Sequence, residues 1–526
     1  MLEQKIAPVA VPLDRARASS NAVTYVPLWL ALAVLLVFHL RFVPTQLAHY
    51  TDPLIYLAGA ESIAEGHGYR FITHAGTPHI GCQPPLNSAY LALFWKLNPQ
   101  FPENVGLLYG GLFLLVAATF ILFYRYAVKN GMPPVVAAAL ILAWGLSAQW
   151  GTLLWGFMSD ILFGALALGL ANYWWEAKDA MSVRRWLVTG IFLALMHLTR
   201  TAATPFLGVV ALIVGVLSWK HRTVKPALAC LLPIIAAVLL WKWWAADAPS
   251  YIDYIKFRVG EQGGWVAVFK YNFDSTLDYL SGLGFVRCVF SPMLDLPSNP
   301  SISNTALSPA LTALLMIFCW AFTALWVFGF WRARTKQQVV VGCLVGAYLL
   351  QLCVYPANLS ERALYAVLPF VLIWAWKGMS VALERWPRLR WVRPALLVMV
   401  SACVVGNSFA FAHSGNYLNV CSRRNELVEI GAWLRTNSPP DTLVAATLME
   451  PTMHFYKYSE RRVVENYFQK EPSFSVAAHS TNGGARATYV LLNWYSNLKA
   501  EELNGGLQLA KASARGSYRL YRVTVP

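Results

Sequence analysis

Apolar residues in this chain come in successive runs of bilayer length, separated by short polar stretches. A helix needs about 20 predominantly apolar residues to cross a hydrocarbon core. Runs of that kind fall near 26–44, 105–127, 133–150, 152–175, 186–200, 202–218, 226–245, 306–331, 338–356, 363–383 and 393–412. Those near 133–150 and 186–200 are short, which suits tilted or partly embedded helices. Ser88 to Leu97 is apolar but too short to cross, and a helix at the interface suits it better. The first run, Tyr25 to Val43, is too long for a signal-peptide core, and no small-residue cleavage site follows closely. It reads as a retained span.

The charges test this count independently. With the N-terminus in the cytoplasm, the loops on that side hold Arg125 and Lys129; Lys178, Arg184 and Arg185; Lys220, Arg222 and Lys225; Arg332, Arg334 and Lys336; and Arg385, Arg388, Arg390 and Arg393. Every alternate loop is basic, as orientation in a membrane requires. The pattern predicts an all-α polytopic membrane bundle of about eleven transmembrane helices over 26–412, preceded by a cytoplasmic segment 1–25. Its outer loops are 45–104 and 246–305, and residues 413–526 lie outside. In that tail, Leu427, Ile430, Trp433 and Leu434 recur at helical spacing before Ser438-Pro439-Pro440 stops the helix. Leu443 to Thr447, Thr488 to Leu492 and Tyr518 to Val525 are β-rich, so the tail reads as a small extracytoplasmic α/β domain.

Composition agrees. Of 526 residues, 57% are hydrophobic and 13% charged, with 22 Trp; soluble domains carry about 25% charged residues. The formal charge of +16 sits in the short loops, which argues for a bilayer partner and against nucleic acid. The eight cysteines (Cys82, Cys230, Cys288, Cys319, Cys343, Cys353, Cys403, Cys421) lie mostly singly in apolar runs without metal-binding spacing, and read as small buried hydrophobes.

Candidate chemistry follows the first span. The chain reads Tyr50-Thr51-Asp52-Pro53-Leu54-Ile55-Tyr56-Leu57-Ala58, then Glu61, Glu65, Gly66-His67-Gly68-Tyr69, and later Gln83-Pro84-Pro85-Leu86. Asp52 and Tyr56 are four apart and share a helix face; Asp52 before Pro53 also suits a helix N-cap. Other polar residues mark span ends on the same outer side: Ser159-Asp160, Leu198-Thr199-Arg200, and Glu361-Arg362. Each has a bland alternative, since Asp160 suits headgroup water, Arg200 suits snorkelling, and Glu361 and Arg362 suit a solvated loop. Their common side is nevertheless a functional pointer. The sequence names no certain cofactor. His67, His74 and His79 with Glu61 and Glu65 offer donors for a divalent metal, though their spacing is irregular.

The stretch from Asp52 to Pro85 resembles the first outer loop of the GT-C superfamily of membrane glycosyltransferases, notably protein mannosyltransferases and the bacterial lipid A aminoarabinose transferase. The matching positions are Asp52, Tyr56, Ala58, Gly66, Gly68, Tyr69, Pro84 and Pro85. Pro53 stands where many members carry a second carboxylate. Asp160, Leu198-Thr199-Arg200, Glu361-Arg362 with Tyr365 and Pro369, and Glu429 to Leu434 followed by Pro439-Pro440-Asp441 extend the resemblance over most of the chain.

The resemblance implies an inverting transferase that takes a sugar from a polyprenyl-phosphate donor and delivers it to an extracytoplasmic lipid, glycan or protein. Catalytic residues would be Asp52, as general base, and Asp160; Tyr56, Arg200, Glu361 and Arg362 would bind substrate, the arginines meeting the leaving phosphate. A transporter or flippase is the rival reading, and predicts charges buried mid-span and symmetric broken helices. A non-catalytic envelope-assembly protein is another, and would leave Asp52 replaceable.

Overall fold

The computed structural model describes residues 22–41, 51–74, 76–101, 103–176, 181–248, 251–261, 263–270, 272, 283–290, 309–333, 335–355, 361–389, 391–412, 415–446, 459–460, 463–465, 489–493, 507–514 and 518–523. Helices occupy the place of every apolar run: α1 (Val26–Arg41), α4 (Val105–Lys129), α5 (Pro134–Gly145), α7 (Asp160–Glu176), α8 (Val183–Thr199), α9 (Thr204–Lys220), α10 (Lys225–Trp244), α13 (Pro309–Arg332), α14 (Lys336–Cys353), α15 (Leu368–Arg385) and α16 (Val392–Ala412). Among the described residues, four stretches are long and apolar enough to cross a membrane: Val105–Lys129, Thr201–Lys220, Lys225–Trp244 and Lys336–Cys353. The shorter helices between the apolar runs are α2 (Thr51–Ala64), α3 (Leu86–Leu97), α6 (Ala148–Trp155), α11 (Tyr251–Glu261) and α12 (Leu283–Phe290).

One expected boundary moves. The apolar run at 152–175 is not one helix: α6 ends at Trp155 and α7 starts at Asp160. The residues between them turn sharply, and Phe157 sits in the left-handed region at φ +49°. Hydropathy does not register such a break, because Phe and Met keep the window apolar. Ser88 to Leu97 is helical as expected, but α3 buries Leu91 and Trp95 fully while exposing Leu93 and Leu97. It is a packed wall against α2 as well as an amphipathic surface helix.

Helix ends are set by ordinary local chemistry. Ser182 caps α8 by accepting from Arg185 N, and Thr335 caps α14 by accepting from Gln338 N. The bundle is held by two kinds of contact. At one end, Glu176 on α7 pairs with Arg125 (3.2 Å) and with Lys129 of α4. Nearby, Gln338 donates to Asn130 Oδ1 (2.7 Å) and to Tyr126 Oη (3.2 Å), accepts from Trp374 Nε1 (2.6 Å), and shares Asn130 Oδ1 with Lys377 Nζ (2.9 Å). This chain of bonds ties α4, α14 and α15 where an unpaired polar group would be costly.

Glycine makes the second kind. Gly329 of α13 and Gly378 of α15 lie so close that a Cβ on the first would fall on the Trp374 carbonyl, and one on the second on the Leu325 carbonyl. Gly190 of α8 stands in the same relation to the Cys230 carbonyl of α10. Small residues permit this backbone approach, and dispersion then substitutes for the hydrophobic effect that lipid removes.

Of the cysteines, Cys230, Cys288, Cys319 and Cys403 are buried as expected, while Cys343 is exposed on α14; the Cys421 side chain lies outside the described residues. At the C-terminal end, α17 (Gly415–Asn437) places Leu427, Ile430 and Leu434 against Val444, Leu491 and Leu520 of a five-stranded sheet. The strands are β1 (Val444–Ala446), β2 (Val463–Glu465), β3 (Tyr489–Asn493), β4 (Leu507–Ala512) and β5 (Tyr518–Val523), in the order β2-β1-β3-β5-β4. β1 runs parallel to both neighbours, whereas β5 is antiparallel to both of its own. The short β2 and bulged β4 were not legible as β-rich runs. Lys511 lies 2.8 Å from Glu429 and holds its carboxyl below the usual range, fixing β4 to α17.

The glycine contact gives a direct test. Gly329→Val should destabilise the bundle by about 1–3 kcal/mol through overpacking, read as a lower unfolding temperature in detergent. Gly346→Ala on α14, with open space around its Cβ, should leave that temperature unchanged.

Candidate functional site

The break between α6 and α7 builds the site. Phe157 to Asp160 are four consecutive residues, and each is tied to a different element. The Phe157 carbonyl accepts from Asn87 Nδ2 of α3 at 2.9 Å, and its ring stacks on Tyr109 of α4 with centroids 4.6 Å apart. Met158 Sδ receives the Arg362 guanidinium at 3.4 Å. Ser159 Oγ and Tyr56 Oη of α2 share a hydrogen bond of 2.8 Å. Asp160, the first residue of α7, forms an ion pair with Arg200, which follows α8. A bulky residue at positive φ costs about 1–3 kcal/mol and persists where the surroundings over-determine it. The clamps on Phe157 supply that determination.

The ion pair is deeply placed, with the Asp160 side chain 6% exposed and that of Arg200 21%. Asp160 also opens α7, at the positive end of that helix's dipole. Arg200 is held by an extended backbone between α8 and the 3₁₀ turn Thr201–Ala203. Arg362 belongs to another 3₁₀ turn, Glu361–Ala366. That turn is pinned from two sides: Tyr348 donates to the Ala363 carbonyl at 2.8 Å, and the Tyr365 ring packs on Trp144 and Trp150 at 5.9 and 5.5 Å. Tyr348 lies within electrostatic reach of Arg200, Asp160 and Arg362 alike, so the three charges share one neighbourhood.

Two further tyrosines close it. Tyr251, at the start of α11, hydrogen-bonds to Tyr355 beyond the end of α14, with the rings stacked at 6.4 Å. Burial, reinforced by Tyr355, holds the Tyr251 phenol well above its ordinary range, against smaller opposing effects of Thr201 and Arg200. It is therefore a neutral hydrogen-bonding group at working pH. The segment between α2 and α3 also meets the end of α10 and the residues after it. His79 lies 3.9 Å from Asp247 and packs edge-on to Trp244 at 5.4 Å. Burial, helped by the Asp253 carboxylate, pushes the Cys82 thiol up to about 11.

Of the residues expected from the sequence, Tyr56, Asp160, Arg200 and Arg362 come together. Asp52 lies one helical turn before Tyr56 on the same face of α2, and Glu361 opens the turn that carries Arg362; the side chains of both lie outside the described residues. The three histidines take separate partners: His67 approaches Glu65 (3.7 Å) at the surface, His79 approaches Asp247, and His74 bonds to Thr73 (2.9 Å). Among the described residues no group of three or more His, Cys, Asp or Glu is arranged to hold a metal ion. Tyr251, Tyr348 and Tyr355 were missed. The signal for two of them is spacing: Tyr348 and Tyr355 are seven apart, on one helical stripe of an otherwise apolar run.

The arrangement has two guanidinium groups for one described carboxylate, bordered by phenols. Such a site suits an anionic group with oxygens that match the arginine fork. Comparison with solved structures finds the same fold in ArnT from Cupriavidus metallidurans. Its apo state matches with a TM-score of 0.55 at 12% identity, over 94% of this chain and 97% of that one. The same protein bound to undecaprenyl phosphate matches with a TM-score of 0.56 at 12% identity, over 95% of this chain and 98% of that one. No protein-family model and no curated protein sequence matches the chain. The chain thus shares its fold with ArnT, in agreement with the resemblance read from the motifs between Asp52 and Pro85.

The ion pair predicts a double-mutant signature. Arg200→Gln leaves a buried carboxylate uncompensated and should cost about 3–5 kcal/mol. Adding Asp160→Asn removes that charge and should restore most of the loss. Thermal unfolding of the four proteins in detergent measures the coupling, and simple additivity would mean that the two groups do not interact.

Proposed function

We propose that the chain is a membrane glycosyltransferase that moves a sugar from a polyprenyl-phosphate donor to an extracytoplasmic acceptor, whether lipid, glycan or protein. The observation that carries this reading is the meeting of Arg200, Asp160 and Arg362 beside Tyr56, in a fold shared with a protein solved with undecaprenyl phosphate bound. A polyprenyl chain keeps the donor in the bilayer and brings its phosphate to the level of the span ends. Two arginines there offset the charge of a leaving phosphate, where preorganised donors contribute most.

In this mechanism the acceptor hydroxyl attacks the anomeric carbon as the bond from that carbon to the phosphate oxygen breaks. The Asp52 carboxylate takes the hydroxyl proton, and the polyprenyl phosphate leaves against Arg200 and Arg362. Asp160 positions Arg200 rather than acting on the sugar. Tyr56 holds Ser159, and thereby the turn that presents Asp160; Glu361 contributes beside Arg362. Inversion follows from a single displacement.

The same reading carries the topology. Eleven crossings over 26–412 place 1–25 in the cytoplasm, and put loops 45–104 and 246–305 with the α/β domain 413–526 outside the inner membrane. The approach of His79 to Asp247, and the electrostatic reach of Asp253 to Cys82, support a common cap formed by the two loops.

Two measurements test it. Alkaline phosphatase fused after Pro526 should be active outside the cytoplasm; activity of a cytoplasmic reporter there instead would overturn the orientation. Purified Asp52→Asn in nanodiscs should bind a polyprenyl-phosphate sugar normally yet transfer it about 10²–10⁴-fold more slowly, whereas Arg362→Ala should weaken both binding and turnover. Near-normal transfer by folded Asp52→Asn would remove it from the base role.

A further inference from the structure

A second concave site lies at the opposite end of the bundle. Asp160 is the first and Glu176 the last of the 17 residues of α7, which places them about 24 Å apart along the helix. Glu176 pairs with Arg125 and Lys129, so the segment that follows Lys129 belongs to the end remote from Arg200. There, a cavity of about 630 Å³ opens between α5, α13, α15 and α16. Its walls are hydrocarbon, from Val136, Leu140, Phe322, Leu325, Met379 and Leu396. The charged lining residues fall at one end, with Glu384, and Ser380 one turn before it, near the end of α15 and Arg393 at the start of α16.

Three features define what fits. The wall along α15 runs from Leu372 to Glu384, about 18 Å at 1.5 Å per residue, or slightly more than half of a ~30 Å hydrocarbon core. Neighbouring side chains face outward and are apolar: Ile317 and Trp320 on α13, and Val398 and Val405 on α16, are all exposed. The cavity therefore opens among surfaces suited to lipid. Finally, the mouth adjoins exposed Trp386 and Trp391, residues typical of headgroup depth. The stretch from α15 into α16 carries Arg385, Arg388, Arg390 and Arg393 against Glu384.

We propose that this cavity holds one acyl chain of a diacyl phospholipid whose anionic headgroup rests against Arg393. The volume lies within the range of ordinary ligand pockets, about 300–1,000 Å³. The lining favours hydrocarbon, and the basic mouth favours a negatively charged headgroup over a zwitterionic one. Gly131 and Pro133 at the rim leave room for the headgroup to approach the loop after α4. Neither the transferase reading nor any residue of the Arg200 site enters this inference.

Native mass spectrometry of the purified full-length chain tests it, with phosphatidylglycerol, phosphatidylcholine and undecaprenyl phosphate offered in turn. Wild type should retain one phosphatidylglycerol through activation that strips phosphatidylcholine. Ala321→Trp, which fills the cavity from an exposed position on α13, should lose that lipid. Should Ala321→Trp fold poorly, Arg393→Gln at the surface serves instead, and should lower phosphatidylglycerol retention about five-fold towards the phosphatidylcholine level. Equal retention of the two phospholipids would overturn the headgroup assignment. Unchanged retention by folded Ala321→Trp would overturn the site, and displacement by undecaprenyl phosphate would overturn the choice of occupant.

Discussion

The turn from Phe157 to Asp160 is the constraint on which the Arg200 end of the bundle depends. Its four residues reach α3 and α4, the Arg362 turn, α2, and the end of α8. A regular helix would commit the Phe157 carbonyl to its own i→i+4 ladder. The break at 156–159 leaves that carbonyl to accept from Asn87 instead. The cost is a bulky residue at positive φ, and the closely packed ring and the Asn87 bond hold it there. Positions that are far apart in sequence, from Tyr56 to Arg362, are thereby referred to one fixed point.

That fixed point explains how a lipid-facing protein assembles a charged site. Away from water, a lone carboxylate or guanidinium is expensive, and pairing is the usual remedy. Asp160 answers Arg200, while Arg362 is placed by a turn pinned through Tyr348 and Tyr365. The result is an electropositive surplus among the described side chains, enclosed by neutral phenols. Beside it, the segment between α2 and α3 packs against the end of α10 through His79, Trp244 and Asp247.

The helical runs were legible in the sequence because a bilayer demands a simple signal, about 20 apolar residues closed by polar ones. The C-terminal helix and three of its strands were legible for a similar reason, since Leu427, Ile430 and Leu434 keep a clean period. What escaped was local geometry. The α6–α7 break leaves no polar mark in Gly156-Phe157-Met158, and β2 is three residues long. For the site, charged residues at span ends stood out against apolar surroundings, so Asp160, Arg200 and Arg362 were visible. Tyr251 and Tyr355 were not, because a tyrosine near an interface is ordinary and its role rests on a partner about a hundred positions away.

The glycine contacts bear on how such a chain is made. Gly190 meets Cys230 across an intervening α9, and Gly329 meets Gly378 across an intervening α14. Each pair joins elements that emerge from the ribosome two helices apart. The first member must therefore wait in the lipid with its glycine surface uncovered while the next segment is threaded. Only on arrival of the third helix does the backbone contact form. During that interval the glycine surface can meet only lipid, so the closest backbone contacts of the bundle are late events in its assembly.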